Sequence, residues 1–476
     1  MRKTKIICTI GPASSDTETI KKMVAAGMNV ARFNMSHASH NILENMISSV
    51  KEASNNKVAL LIDTKGPEVR IGKFENGSVS LSDGDSFRFY KNLELGNSKG
   101  VELVYKKLIE RLLDTPTRGK GLKILLDDGK LSMEVESVSE DYIECKVLKG
   151  GVLSNSKSIN IPDFHINMPY MSSSDREDIA FGLSLGIHFI AASFVRSKSD
   201  IILLRDYVNS LGYESVSIIA KIENQEGVDN IDEIIDAADG IMEARGDLGV
   251  EIPFIRLPAL QKTMIEKCVR RGKIVVTATQ MLESMTGSPR PTRAEISDVA
   301  NAVFDGTSAV MLSAESAAGK YPVESTAALS AICKEAEENI EGRFSSKVSF
   351  NVFVSDGSIR DTICIAAKKS AEAIGAKAII VESQTGRVAK AIAHYRPSCP
   401  IIAVVTRDSV AKKLALSWGV TAVLGEDKSN SDDITIQAME KALETGIVEK
   451  GDTVIVISSN KSTPTNETDT LNIRKI

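Results

Sequence analysis

No run of apolar residues in this 476-residue chain approaches the ~20 that a membrane span needs. The longest, such as 401–405, read as buried strands. Met1-Arg2-Lys3-Thr4 leads at once into Ile6-Ile7 and Gly11-Pro12, without a long apolar region or a cleavage site, so no secretory signal is expected. The six cysteines (8, 145, 268, 333, 364 and 399) include no CxxC pair. Neither zinc nor a disulfide framework is expected, and the chain reads as a reduced, cytoplasmic protein with inert buried thiols. An excess of one charge is lacking too: 58 Lys and Arg stand against 63 Asp and Glu, a net of −5. That balance gives no support for nucleic-acid or membrane affinity, so an anionic ligand would need a local basic cluster. There is no Walker motif, no kinase-type GxGxxG, no low-complexity segment and no solenoid repeat. What is present is globular: 42% hydrophobic and 25% charged residues. At roughly 150 residues per domain the length suggests about three domains.

The first two-thirds alternate short apolar runs with amphipathic segments. Strands are expected at 5–10, 28–33, 57–63, 187–194, 216–222, 239–244, 273–278 and 309–313. Helices are expected at 16–26, 37–54, 173–185, 197–210, 227–236, 254–271, 292–304 and 322–340. Fully apolar strands in eight βα units suit a parallel sheet buried on both faces, closed as a (β/α)8 TIM barrel.

The rhythm breaks once. Residues 70–165 alternate with period two around turn signals such as Glu75-Asn76-Gly77 and Asp127-Asp128-Gly129, and read as a small β-barrel domain inserted in a βα loop. Such loops lie on the active-site face, so the insert is placed to act as a lid. The barrel would comprise 1–69 and 166–342, and an open-sheet α/β domain 343–476. Strands of that last domain are expected at 377–382, 400–405, 419–424 and 452–458.

Barrel active sites lie just past the strand ends. There the chain places Arg32-Phe33-Asn34-Met35-Ser36-His37, Asp63-Thr64-Lys65-Gly66-Pro67-Glu68-Val69-Arg70, Lys221-Ile222-Glu223-Asn224, Arg245-Gly246-Asp247 and Thr277-Ala278-Thr279-Gln280. Charged and hydroxyl groups from five strands thus meet on one rim. The mixture suits phosphoryl transfer: Glu223 and Asp247 are hard oxygen ligands for Mg²⁺, and Arg32, Arg70 and Lys221 are fixed cations for the transferring group. Each residue alone has a plainer reading. Asp63-Thr64 could cap a helix, Lys221 and Glu223 could form a solvated ion pair, Asp247 could be a turn residue, and Trp418 could simply pack in the last domain.

These segments resemble the pyruvate kinase family, and Ala244-Arg245-Gly246-Asp247-Leu248-Gly249-Val250-Glu251-Ile252-Pro253 and Pro289-Arg290-Pro291-Thr292-Arg293-Ala294-Glu295 extend the match. Order and spacing agree from residue 4 to about 330. The resemblance implies transfer of phosphoryl from phosphoenolpyruvate to ADP. It implies Mg²⁺ or Mn²⁺ on Glu223 and Asp247, with Lys221 and Arg32 on the phosphoryl group. The N–H groups of Gly246 and Asp247, with Thr279, would hold the substrate carboxylate. K⁺ would lie among Asn34, Ser36, Asp63 and Thr64, and the nucleotide would meet Asn34, His37, Arg70 and Lys157. Glu68 marks the potassium-dependent members. A homotetramer is implied as well. So is a phosphorylated effector, met by Ser383, Thr385 and Arg387 and by a final loop that here reads Ser462-Thr463-Pro464-Thr465-Asn466-Glu467 without the usual glycine.

Four positions depart from the pattern: His188, Ser308 and Ala314, where Asp, Asp and Gly are commoner, and Glu243, where an apolar residue is usual. Glu243 shares a strand face with Arg245, and a pairing with Arg245 or another rim cation is expected because an unpaired buried carboxylate is costly. Two other functions compete with the kinase. One is a Mg²⁺-dependent barrel lyase acting on an oxo-acid enolate; the other is an inactive barrel kept as a binding protein.

Overall fold

Eight parallel strands close on themselves: Lys5–Thr9, Val30–Asn34, Ala59–Asp63, Phe189–Ala192, Ser217–Ile222, Gly240–Ala244, Ile274–Ala278 and Ala309–Leu312. The computed structural model describes residues 1–162, 164–343, 357–428, 430–459 and 468–476. Every neighbouring strand pair of the cylinder is parallel, and its strands are buried almost throughout, which explains the unbroken apolar runs.

Strand alternation sorts these residues into two cores. Ile7, Val30, Leu61, Ala191, Ile219 and Met242 fill the lumen. Ile6, Ala31, Leu60, Ile190, Ile218 and Ile241 pack outward against the surrounding helices. The same parity fixes the next residues along. Thr9, Arg32, Asp63, Ser193 and Lys221 each lie two positions beyond a lumen residue, and so gather over the mouth. Glu243 lies two beyond Ile241 and so belongs to the outer layer.

The helices follow the expected pattern with two corrections. The segment expected as one helix over 227–236 is two, Gln225–Asp229 and Ile231–Ala237, with Asn230 between them. The segment 254–271 opens with a short 3-10 turn, Phe254–Arg256, before the helix Leu257–Arg270. Capping boxes at Ser172 and Thr292 start two of the barrel helices.

The insert has its own apolar core around Phe87, Phe89, Leu126, Met133 and Val147. Its seven-stranded sheet runs from Val69–Arg70 to Gly100–Glu102, and a bridge between Ile71 and Leu103 joins the first strand to the last. It also contains a helix, Lys107–Leu113, that the period-two reading did not include.

In the C-terminal domain Val420–Leu424, Ile401–Val405, Ala378–Glu382 and Thr453–Ser459 pair in parallel in that order. A fifth strand, Thr468–Lys475, adds antiparallel to Thr453–Ser459 and was not among the expected strands. Its sequence mixes Asp, Asn, Arg and Lys with few apolar residues, as suits a sheet edge.

Candidate active site

Asp63 ends the third strand at 1% exposure and is the hub of the mouth. Arg32 Nε donates to its Oδ2 at 2.7 Å, while Lys221 Nζ and Ser193 Oγ each donate to its Oδ1 at 3.0 Å. Lys221 Nζ also donates to Ser193 Oγ at 2.8 Å and lies 2.9 Å from Glu223 Oε1. Arg32 Nη1 donates to Thr9 Oγ1 at 2.8 Å. Five strand ends are therefore linked by contacts of 3.0 Å or less. Asp63 is no helix cap, and Lys221–Glu223 is no solvated pair: Glu223 is fully buried and Lys221 is 8% exposed.

The electrostatics follow from this packing. Burial works to raise the Asp63 carboxyl, but Lys221 and Arg32 outweigh it and hold the group below its ordinary value. Burial opposes the charge of Lys221, yet Asp63 and Glu223 keep it firmly protonated. Glu223 and Asp247 are both raised, first by burial; the Lys221 charge only partly offsets this, and at Glu223 the neighbouring charge of Asp247 adds to the rise. Phe194 N donates to Glu223 Oε2 at 2.7 Å. A pair of crowded carboxyls under a lysine gains by receiving a second cation.

Gly246 and Asp247 lie in the short helix Arg245–Glu251, against Thr279. A Cβ on Gly246 would come within 2.8 Å of Thr279 Cγ2, so only glycine permits this approach. Thr279 and Gln280 hold positive φ values of 70° and 55°. Arg245 supports that strained turn by donating to the carbonyls of Ala278 at 3.1 Å and Thr279 at 2.7 Å.

Arg245 is thereby occupied, and its ion pair is with Asp298 at 2.8 Å. The expected Glu243–Arg245 pairing is not formed. Parity puts Glu243 behind the strand, fully buried, where Thr277 Oγ1 donates to its Oε2 at 3.4 Å and its Oε1 has no partner. Burial, foremost, raises its pKa well above the ordinary value. It therefore stands apart from Glu223 and Asp247, on the other face of the sheet.

The remaining departures are local. His188 Nδ1 accepts from Leu60 N at 3.0 Å, and burial lowers its pKa to about 4, so a neutral imidazole serves as the acceptor. Ser308 Oγ accepts from Val275 N and from Arg396 Nη2. Ala314 opens a short helix, Ala314–Ala317, where no glycine is needed.

The other expected residues make local contacts of their own. Asn34 is in register with Asp63 on the adjacent strand, and Asn34 Oδ1 accepts from Ser36 N at 3.0 Å. Thr64 Oγ1 accepts from Ser193 N at 3.1 Å. His37 is exposed. Arg70 Nε donates to Glu68 at 2.7 Å, and Lys157 pairs with Asp127 at 2.6 Å, both within the insert or its stem. Far from the mouth, Ser383 Oγ accepts from Gly386 N at 3.1 Å and Arg387 Nε donates to Thr385 Oγ1 at 3.3 Å. The 462–467 loop lies outside the described residues. Thr9 and Ser193 were not singled out from sequence. Ser193 had a signal, a hydroxyl directly after the apolar strand at 187–192, in the same position as the other rim residues.

A closed βα cylinder with fixed cations and buried carboxylates at its mouth, and a β domain inserted after its third strand, fits a barrel phosphotransferase. Residues 1–326 match the family described as pyruvate kinase, barrel domain, and residues 361–474 match pyruvate kinase, alpha/beta domain. The chain belongs to the pyruvate kinase family. The pyruvate kinase of Sporosarcina psychrophila is 44% identical over 481 residues, spanning 100% of this chain and 80% of that one. That of Clostridium perfringens is 41% identical, spanning 100% of both. A crystal structure of a pyruvate kinase from Cryptosporidium parvum superposes with a TM-score of 0.91 at 37% identity, covering 100% of this chain and 96% of that one. The function is therefore the glycolytic kinase reaction, phosphoenolpyruvate and ADP giving pyruvate and ATP, rather than the lyase or binding-only alternatives. Among the described residues no helix is long and apolar enough to cross a membrane.

Proposed function

We propose that the Arg32–Asp63–Lys221–Glu223 chain at the barrel mouth performs this transfer; its unbroken set of contacts is the observation that carries the reading. Arg32 and Lys221 take the phosphoryl oxygens, and Lys221 neutralises the enolate oxygen as the P–O bond to the leaving pyruvate opens. Asp63 and Ser193 position both cations. Gly246, Asp247 and Thr279 hold the substrate carboxylate, and the glycine lets the backbone approach it.

Mg²⁺ or Mn²⁺ fits the donor set. Among the described residues no group of three or more His, Cys, Asp or Glu could hold a metal ion. Two buried carboxyls, Glu223 and Asp247, both raised, with Glu223 Oε1 lacking a hydrogen-bond partner, suit an ion that takes its other ligands from water and substrate phosphate. When bound, the metal supplies charge neutralisation to the transferring phosphoryl group. Asn34, Ser36, Asp63 and Thr64 come from two adjacent strand ends and offer neutral and anionic oxygens to K⁺. Glu68, beside Arg70, supports the K⁺ dependence. On the nucleotide side, Asn34, His37, Arg70 and the insert's Lys157 line the route under the lid.

A phosphorylated effector would meet the exposed Thr385 and Arg387 rather than Ser383, whose hydroxyl is spent on its own turn at 5% exposure. Adjacent Phe254 and Ile255, each 75% exposed, support self-association toward the implied homotetramer. The soluble-enzyme relatives support a cytoplasmic setting. The deciding experiment measures pyruvate and ATP formation from phosphoenolpyruvate and ADP, with Mg²⁺ and K⁺ each titrated from zero. Turnover that needs both supports the assignment; a rate independent of ADP would overturn it.

A further inference from the structure

At the base of the barrel, opposite the mouth, a small cleft of about 50 Å³ separates the starts of three strands from the C-terminal domain. Asp239, Lys273 and Ser308 line it from the barrel side, and Lys390, Arg396 and Ser417 from the other. Some of its polar groups are paired, as where Lys273 Nζ donates to the carbonyls of Ala238 at 2.7 Å and Asp236 at 3.2 Å, but others are left over. Arg396 Nη2 donates to Gly306 O at 2.9 Å and Ser308 Oγ at 3.2 Å, but its Nη1 is buried without a hydrogen-bond partner. Ser417, 4% exposed, has a hydroxyl with no partner at all. Lys390 forms no ion pair among the described residues; its electrostatic neighbours are Lys413, Lys273 and Arg205 against the single carboxylate of Asp239. That carboxylate is already taken, by Arg205 at 2.7 Å and Ile218 N at 2.9 Å.

Buried donors are ordinarily satisfied, and buried cations ordinarily paired. Here Arg396 Nη1 and the Ser417 hydroxyl break the first rule, the half-buried Lys390 has no ion-pair partner, and the lining carboxylate of Asp239 is already engaged, so the unmet demand is for an anion. We propose that this inter-domain cleft is a binding site for a phosphate-class dianion, held by Lys390, Arg396 and Ser417 with Lys273 at its edge. Two cations without a free counter-charge, Lys390 and Arg396, favour a doubly charged phosphoryl group over a carboxylate. Burial lowers Lys390 to about 8, with Lys413 adding to the effect, and an anion would reverse that repulsion. The site is separate from the Thr385–Arg387 turn. That turn starts the helix Arg387–His394, whereas Lys390 and Arg396 lie toward and beyond its far end. An occupant would join the two domains beneath the strands Gly240–Ala244 and Ile274–Ala278, which lead at their upper ends to Asp247 and Thr279.

The chain's single tryptophan, Trp418, lines the cleft under the Arg396 guanidinium at 4.6 Å, and so reports on this site alone. The experiment titrates inorganic phosphate, and separately a hexose monophosphate, into the full-length protein at constant ionic strength. Trp418 fluorescence and calorimetric heat are read together. A saturable Trp418 change with at least one of the two is expected, and the tighter probe tells free phosphate from a phosphate monoester. Lys390→Gln removes a charge with no structural partner; it should weaken the response about tenfold or more while leaving basal turnover unchanged. Ser417→Ala should weaken it by a smaller factor. The proposal is overturned if neither probe gives a saturable response in either readout, or if both variants respond as the unmodified protein does.

Discussion

Glu223, just past the end of one strand, and Glu243, within the next, are equally buried and face opposite sides of the sheet. Glu223 faces the mouth, with Lys221 at 2.9 Å and a backbone N–H at 2.7 Å. Glu243 faces the layer of helices and has one long contact to a hydroxyl. A third buried carboxylate, Glu315, shows an intermediate solution: it accepts from the N–H groups of Leu282 and Ser313 and so ties two rim loops together. Burial raises both Glu223 and Glu243; Arg245 offsets it in part at Glu243 without an ion pair, whereas at the mouth Lys221 lies 2.9 Å from Glu223 and a second carboxyl, Asp247, stands near. The same residue type is thus a working group on one face and a liability on the other.

The sharpest way to break this comparison is to remove the cation from the working face. Lys221→Met should lower kcat/KM by about 10³-fold or more, because a preorganised charge at the transferring group is lost. Pyruvate formation under saturating Mg²⁺ measures it; a loss below about tenfold would remove Lys221 from the chemistry. The matched substitutions Glu223→Gln and Glu243→Gln come next. The first should raise the Mg²⁺ concentration for half-maximal rate by about 10- to 100-fold, while the second leaves it unchanged. Equal effects would mean that both glutamates serve the metal.

Glu243 should instead reveal itself in stability. Its folded pKa lies above the unfolded value, so the proton it retains stabilises the fold at low pH, and that contribution is lost as pH rises from the unfolded pKa toward the folded one. Glu243→Gln does not titrate. Relative to the parent it should gain about 1.4 kcal/mol per pH unit across that window, with the two converging below about pH 4. Denaturant unfolding at pH 4, 6 and 8 would show it; a constant difference would place an unseen partner on Glu243.

Strand parity explains how much of this was legible. Apolar runs and the charged residues that follow them are read directly from sequence, so the cylinder and the convergence of Arg32, Asp63 and Lys221 were accessible. The expected Glu243–Arg245 pair failed because parity says which face a residue shares, not what else competes there; Arg245 is taken by Asp298 and by the carbonyls of the Thr279 turn. The Ile71–Leu103 bridge and the edge strand Thr468–Lys475 depend on distant partners, which local periodicity does not encode. Ser193 was legible in principle, since it follows its strand as Asp63 ends the adjacent one.

The smaller effects test how far the mouth's order extends. Full activity should need K⁺, and Glu68→Lys should reduce that need by placing a fixed ammonium where Glu68 now pairs with Arg70. Activity assayed in a buffer of tetramethylammonium salts, with and without K⁺, decides this.

Ser193→Ala should have the mildest effect. Its hydroxyl accepts from Lys221 and has both the Asp63 carboxylate and the Thr64 carbonyl within reach of its single O–H, yet it need not touch substrate. Removing it leaves the ion pairs intact and costs about one hydrogen bond to charged groups, which corresponds to roughly a tenfold fall in kcat. A positioning role predicts that the fall appears in kcat rather than in the KM for ADP, and that Ser193→Thr, which retains the hydroxyl, recovers part of it. The backbone carbonyl of the same residue lies 2.8 Å from where a Cβ on Gly66 would stand, so this turn has no slack to absorb larger side chains. If Ser193→Ala instead raised the KM for ADP with kcat unchanged, the hydroxyl would belong to the nucleotide route, and the hub at Asp63 would hold its cations unaided.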